Sequence, residues 1–335
     1  MIRPQDFLCP RPAGLYCPPG DFYIDPIRPV DRAVITHGHA DHARTGHGAV
    51  AATPETLAIM AVRYGEAFAG SSQALPYGET TRVGGVEISL VPAGHVLGSA
   101  QVVVRGRGLT IVVSGDYKRR ADPTCAPFAP VACDVFVTEA TFALPVFRHP
   151  PVGGEIGRLL QSVAQFPERG HIVGAYALGK AQRMIALLRD AGWDRPIPVH
   201  GALERLNALY AAFGVALGPL EPATTSDGRD QAGAIIVAPP SALGTPWNRR
   251  FADPVLAFAS GWMRIRARAR QRNVELPLIV SDHADWDELT GTIAELHPGE
   301  VWITHGREEA LARWCHLQGI PARALALVGY EDEGD

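Results

Sequence analysis

Between residues 37 and 42 the chain reads His37-Gly38-His39-Ala40-Asp41-His42, and this run constrains the fold more than any other. Three imidazoles and a carboxylate fall within six residues, directly after the short apolar run Ala33-Val34-Ile35. Alternation at 37, 39 and 41 lets an extended turn aim side chains at one point. Imidazole nitrogen and carboxylate oxygen suit zinc and similar divalent ions. A closed structural zinc site usually includes cysteine, and no cysteine lies near, which favours a catalytic site with open positions. A polar turn that happens to be rich in histidine is the plainer reading, and two ligand-type residues at later strand ends weigh against it.

The first of these is His95, in Ala93-Gly94-His95-Val96-Leu97-Gly98, after the strand-like Val86 to Pro92. The second is Asp116, in Ser114-Gly115-Asp116-Tyr117, after the apolar run Leu109 to Ser114. Each lies beside glycine, which lets the backbone approach a metal closely. Either alone is weak, since a histidine after a strand is usually just hydrogen-bonded and Gly-Asp is usually just a turn.

The rest of the chain reads as layered α/β. Residues 1–30 are rich in proline and glycine and read as an irregular lead-in. Gln101 to Arg105 and Val135 to Val137 read as strands, and Thr53-Pro54 opens a helix. Helices are expected at Gly154 to Phe166, Lys180 to Ala191, Ala202 to Phe213, Trp286 to Leu296 and Glu308 to Leu317. Strands are expected at His171 to Ala175, Ala234 to Ala238, Val255 to Ala259, Leu278 to Ser281, Val301 to Thr304 and Ala324 to Val328. Strand alternating with helix in the middle third implies a parallel sheet. Tyr330 to Asp335 reads as a frayed acidic tail.

Composition excludes several classes. At 335 residues, 47% hydrophobic and 20% charged, the chain is an ordinary globular one of about two domains. It has no apolar run of transmembrane length and no secretory leader, so a cytoplasmic location is expected. Its five cysteines are odd in number and have no Cys-x-x-Cys spacing, which argues against a disulfide framework. A net charge of −4 excludes a strongly basic global field. Lys118 and Lys180 are the only lysines among 31 basic residues, a bias that makes arginine abundance uninformative while leaving arginine position informative.

The His-x-His-x-Asp-His box, the later histidine and the later aspartate resemble, in order, the metallo-β-lactamase fold superfamily. That resemblance implies a four-layer αββα sandwich with two metals at one edge. By position His37, His39 and His95 would hold one ion, Asp41 and His42 the second, and Asp116 would bridge them. Four further stretches resemble the β-CASP branch, whose members cleave nucleic acids: Thr138-Glu139-Ala140-Thr141-Phe142, Ala177-Leu178-Gly179-Lys180-Ala181-Gln182, Ser281-Asp282-His283-Ala284-Asp285 and Ile303-Thr304-His305-Gly306. The branch implies that residues 1–144 and 277–335 form the metallo-β-lactamase domain and that 145–276 form an inserted α/β cap. It makes His305 the last ligand of the second metal and His283, held by Glu139, the general acid. The plainer roles are capping or ion pairing for Glu139, and capping of the following helix for Ser281 to Asp285.

More narrowly, the chain is similar to bacterial DNA-ligase-associated exonucleases of the DNA damage response. Pro12-Ala13-Gly14-Leu15-Tyr16-Cys17, Asp31 to Thr36, Gly115-Asp116-Tyr117-Lys118-Arg119-Arg120 and Pro145-Val146-Phe147-Arg148 carry that similarity. It implies a metal-dependent DNA exonuclease acting on single strands or ends, in repair beside a DNA ligase and a helicase, near the bacterial nucleoid. The chemistry agrees: two divalent ions, zinc or manganese, activate water and stabilise both oxygens of an in-line displacement, with Asp41, Glu139 and His283 as catalytic residues. The alternatives are a β-CASP ribonuclease, a small-molecule metallo-hydrolase and a scaffold with a decayed site.

Two basic features are placed to meet phosphate. Lys118, Arg119 and Arg120 follow Asp116 and are expected to line the metal cleft. Arg264, Arg266, Arg268, Arg270 and Arg272 alternate, and an extended ladder would space them about 6.6 Å apart on one face. A solvated surface run is the plainer reading.

Overall fold

A computed structural model describes residues 3–223 and 231–325. The N-terminal run makes six strands, β1 (Cys9–Arg11), β2 (Gly14–Cys17), β3 (Phe22–Ile24), β4 (Arg32–Val34), β5 (His47–Ala52) and β6 (Ala69–Ala74), with helix α1 (Pro54–Tyr64) before the last. They form one sheet in chain order. Five more strands follow: β7 (Thr80–Val83), β8 (Val86–Pro92), β9 (Ala100–Gly106), β10 (Leu109–Val113) and β11 (Val135–Ala140).

The chain then enters a separate unit. Its elements are α2 (Val152–Gln165), β12 (His171–Gly174), α3 (Lys180–Asp190), β13 (Ile197–Val199), α4 (Glu204–Ala212), β14 (Leu220–Pro222), β15 (Ile235–Ala238), β16 (Val255–Ala259), α5 (Arg266–Gln271) and β17 (Leu276–Leu278). Last come α6 (Trp286–Leu296), β18 (Glu300–Gly306), α7 (Glu308–Leu317) and β19 (Ala322–Ala324). The two compact units are residues 1–148 with 283–335, and residues 149–282.

Period-2 geometry explains the layering of the first unit. Along β10, Ile111 and Val113 join a core with Val102 and Val104 of β9, Val135 and Val137 of β11, and Leu15, Phe22, Ile24 and Val34 of the first sheet. That core lies between the two sheets. The intervening Val103, Val112 and Phe136 face the other way, against Leu289 and Ile293 of α6 and Leu311 and Cys315 of α7. On the opposite side Ala33, Val50 and Ala52 pack against Met60 of α1. The order is α, β, β, α. Both faces of the second sheet are covered at its centre, which is why β9, β10 and β11 read as largely apolar runs rather than alternating ones. That sheet runs β19-β18-β11-β10-β9-β8-β7.

The second unit is a six-stranded sheet in the order β14-β13-β15-β12-β16-β17, all parallel. This agrees with the alternation of strand and helix across its sequence.

Several expectations are corrected. Residues 1–30 are not an irregular lead-in, because Cys9–Arg11, Gly14–Cys17 and Phe22–Ile24 pair as strands. At three or four residues they are too short, and too interrupted by proline and glycine, to show a period. The arginine ladder is not extended: Gly261–Arg264 is a 3₁₀ turn and Arg266–Gln271 is helical, so alternate arginines turn away from one another. The strand expected at Leu278 to Ser281 ends at Leu278. Of the strand expected at Ala324 to Val328 only its first residue falls in β19, and 326–335, including the acidic tail, lies outside the described residues. Among the described residues no helix is long and apolar enough to cross a membrane.

Candidate metal centre

The strand ends of the first unit converge. The loop after β4 carries His37, His39, Asp41 and His42; the β8–β9 connection carries His95; the loop just after β10 carries Asp116. Strand β11 holds Glu139, His283 precedes α6, and β18 holds His305. His37, His39, His42, His95, Asp116 and Glu139 are all buried.

Ligand atoms of His37, His39, His95 and Asp116 all lie within 4.8 Å of one another. His95 Nε2 stands 3.0 Å from His39 Nδ1. Asp116 Oδ2 stands 3.3 Å from His37 Nε2 and 3.7 Å from His95 Nε2. Donor atoms about 2.0–2.1 Å from one tetrahedral ion are roughly 3.3 Å apart, so this spacing suits a shared cation. Tautomer chemistry points the same way. Thr36 Oγ1 donates to Asp25 Oδ2 at 2.6 Å and therefore accepts from His37 Nδ1 at 3.0 Å. The lone pair of His37 is left on Nε2, a fully buried atom with no hydrogen bond. A buried acceptor aimed among other ligand atoms fits a metal.

The second group surrounds the same carboxylate oxygen. His42 Nε2 lies 3.5 Å from Asp41 Oδ2 and 3.5 Å from Asp116 Oδ2. The His305 ring stacks on His42 with centroids 5.0 Å apart. His42 Nδ1 donates to Asp25 Oδ2 at 2.8 Å, leaving its Nε2 toward Asp41 and Asp116. His305 has φ +58, a conformation uncommon for a side-chain-bearing residue, which marks strain at this strand end.

The electrostatics follow from burial against paired charge. Burial alone raises Asp116, but His42, His283 and His37 outweigh it and hold the carboxyl well below its ordinary range. Burial pushes the His95 imidazole well down, and pushes His305 down to about 4, so both rings are neutral at pH 7. Burial also lowers His42, yet Asp116, Asp41 and Asp25 together hold it well above the ordinary value.

Beside the cluster is a carboxylate–imidazole pair. Glu139 is fully buried; its Oε1 accepts from Tyr117 N at 2.8 Å and its Oε2 faces His283 Nδ1 at 3.0 Å. A carboxylate only accepts, so the His283 proton sits on Nδ1 in the neutral ring. Asp116, Glu139 and His283 form a second set of ligand atoms within 4.8 Å of one another.

Of the basic residues after Asp116, Lys118 is buried away from phosphate, which corrects that expectation for it, while Arg119 and Arg120 are partly exposed and each engaged by carboxylates. The Lys118 ammonium is buried and pairs with Asp122 at 2.6 Å. Arg119 pairs with Glu295 at 2.7 Å and lies over the Phe128 ring. Arg120 pairs with Asp285 and Glu288 of the α6 capping box. In the second unit Arg264 and Arg266 are exposed, whereas Arg268 stacks 3.9 Å from the Trp262 ring centroid. The motifs do not point to Asp25 or Thr36 as supports of the site. Asp25 directly follows a three-residue strand within the segment that reads as irregular, and its one visible signal is an acid after the apolar run Phe22-Tyr23-Ile24.

Residues 24–164 match the metallo-beta-lactamase superfamily. A protein of Opitutus terrae named a probable DNA ligase is 26% identical over 320 residues, covering 93% of this chain and 30% of that one. A ribonuclease of Thermus thermophilus is 29% identical, over 52% of this chain and 46% of its own length. The endoribonuclease ysh1 of Aspergillus fumigatus is 30% identical, over 41% of this chain and 16% of its own. The chain therefore spans less than half the length of these relatives. A crystal structure of a protein of unknown function from Enterococcus faecalis shares the fold, with a TM-score of 0.57 at 12% identity, covering 82% of this chain and 75% of that one.

Proposed function

We propose that this chain, whose residues 24–164 form a metallo-beta-lactamase superfamily domain, is a metal-dependent exonuclease that hydrolyses DNA phosphodiesters in repair, beside a DNA ligase and a helicase at the bacterial nucleoid. It is a metallo-hydrolase-type chain with nuclease relatives; the DNA substrate, exonucleolytic mode and partners are our reading. The observation that carries the chemistry is Asp116 Oδ2, which faces the His37–His95 cluster and lies 3.9 Å from His283 Nδ1.

His37, His39 and His95 would hold one ion, Asp41, His42 and His305 the other, with Asp116 between them. Two divalent ions held there, zinc or manganese, would supply an activated water and stabilise charge on the attacking and leaving oxygens. Asp41, whose Oδ2 lies 3.5 Å from His42 Nε2, would help hold the second ion. Glu139 orients His283 and favours its doubly protonated form, from which Nε2 can give a proton to the departing oxygen while Nδ1–H stays on Glu139. The unit 149–282 would be the cap that guides the strand, with Arg264 and Arg266 as its exposed phosphate contacts.

The choice of DNA over RNA rests on extent. The relative named a DNA ligase matches 93% of this chain, against 52% for the Thermus ribonuclease. Within that relative the matching region is 30% of a longer polypeptide, so there it is covalently joined to further sequence. Digestion of end-labelled single-stranded DNA and matched RNA, in zinc and in manganese with Asp116→Ala as control, tests the reading. Stepwise shortening of DNA, absent in the control, is expected. Cleavage of RNA alone would make the chain a ribonuclease.

A further inference from the structure

Lysine is nearly absent from this chain, and both lysines it has are buried. Lys118 is 1% exposed and its neighbour Asp122 has a side chain 2% exposed. Burying such a pair carries a desolvation cost that seldom improves stability over apolar packing. A pair retained there calls for another role, and the surrounding contacts supply one.

Asp122 is held from its far side, where Oδ1 accepts from Thr124 N at 2.8 Å and Thr124 Oγ1 at 2.7 Å. Its Oδ2 receives the Lys118 ammonium at 2.6 Å. The same ammonium donates to the His95 carbonyl oxygen at 3.4 Å. The backbone of residue 118 grips the same segment, with Lys118 N donating to Ala93 O at 3.2 Å. Between them Gly94 has φ +76, and a Cβ there would lie 2.4 Å from Lys118 O, so the two segments are in direct backbone contact. Ser99 Oγ completes the cradle by accepting from His95 N at 3.0 Å. The run 116–118 therefore does two things: it presents Asp116, and it braces the segment that presents His95.

We propose that Lys118 is a positioning residue for the metal centre: the Thr124–Asp122–Lys118 chain fixes the His95 main chain, and through it the spacing of His95 Nε2 from Asp116 and His39. This rests on the metal-site reading above. The brace needs lysine in particular. An ammonium is a compact charge with three donors on a flexible stem, whereas a guanidinium is a planar fork of five donors and would bring unmatched N–H groups into this buried space. Arginine, which fills the other 29 basic positions, keeps the charge and loses the geometry.

The test is cobalt(II) binding by the whole chain, followed by visible absorption and chelator competition, for the wild type, Lys118→Arg and Ser99→Ala. The ligand-field bands report coordination geometry at the ion, which a general loss of stability does not alter. Lys118→Arg is expected to weaken cobalt binding about 10- to 100-fold, the usual effect of losing an outer-shell partner, and to shift the bands. Ser99→Ala, which loosens the same segment from its other side, should shift them too. A folded Lys118→Arg chain with wild-type affinity and spectrum overturns the brace alone. A wild type that takes up no cobalt overturns the metal site and the brace with it. If Lys118→Arg does not fold, the double variant Lys118→Met/Asp122→Asn, which neutralises both buried groups together, carries the same test with the same two outcomes.

Discussion

Glu139 does two jobs with two oxygens. One receives the Tyr117 backbone N–H at 2.8 Å, and the other faces His283 Nδ1 at 3.0 Å. Glu139→Gln can keep the first bond through its amide oxygen, but its NH2 group then faces His283 Nδ1 and, being a donor, favours the other tautomer. Turnover is expected to fall about 10²- to 10⁴-fold, the range for a disabled general acid, with metal content and KM little changed. Steady-state kinetics with metal analysis checks it; a variant that loses metal would make Glu139 a ligand and not an orienter. The residues of this site are legible in the sequence where the chemistry-bearing types crowd together, as at His37 to His42, or stand at strand ends beside glycine, as at His95 and Asp116. Asp25 is not legible, because its role as partner of Thr36 and His42 depends on a parallel pairing of β3 with β4 that joins residues eleven and seventeen apart. Lys118 reads as a phosphate contact for the same reason, since a sequence shows a charge but not the carboxylate buried beside it.

At the scale of elements, α1 sets the shape of the histidine loop. Thr53 caps it, accepting from Thr56 N at 3.2 Å and donating to Gly98 O at 2.7 Å, so the helix start is tied to the connection that carries His95. One turn further on, Ile59 fills the space beside Gly38, where an added Cβ would lie 2.5 Å from Ile59 Cγ2. Gly38→Ala must therefore displace the Ile59 side chain with its helix, or the loop between His37 and His39. Metal affinity is expected to drop about tenfold or more, as for a displaced supporting contact. The double variant Gly38→Ala/Ile59→Ala, which restores the room, should recover much of it. Equal losses in the single and double variants, measured by chelator competition, would show that this contact does not set the loop. Elements are legible where local chemistry marks their ends. Helix α6 spans Trp286–Leu296 as expected, because Asp285 and Glu288 form a capping box at its start. The arginine run misleads because alternation of residue type mimics a strand period, whereas Ala269 faces the core at helical spacing among Arg266, Arg268 and Arg270.

At the scale of the molecule, the acid response is spread over both units and is not confined to the metal cluster. His47 lies in β5 of the first unit and accepts from Val30 N at 3.3 Å; His171 begins β12, inside the sheet of the second, beside Ser162. Both are buried, and burial is the leading cause that lowers each below the ordinary value of 6.5. The folded chain thus binds a proton at these rings less readily than the unfolded chain, so stability rises with pH wherever the unfolded rings are protonated first. The contribution is full above 6.5 and is lost as the pH falls from there through the lower folded value. Urea unfolding of the full chain from about pH 7.5 to about pH 5, a range that brackets the ordinary imidazole value, should show the loss. His47→Asn and His171→Asn should each lower stability at the neutral end, because each opens a packed interior, yet each should flatten the fall toward acid. Curves that merely shift down and stay parallel to the wild type would place the acid sensitivity elsewhere, in the imidazoles around Asp116.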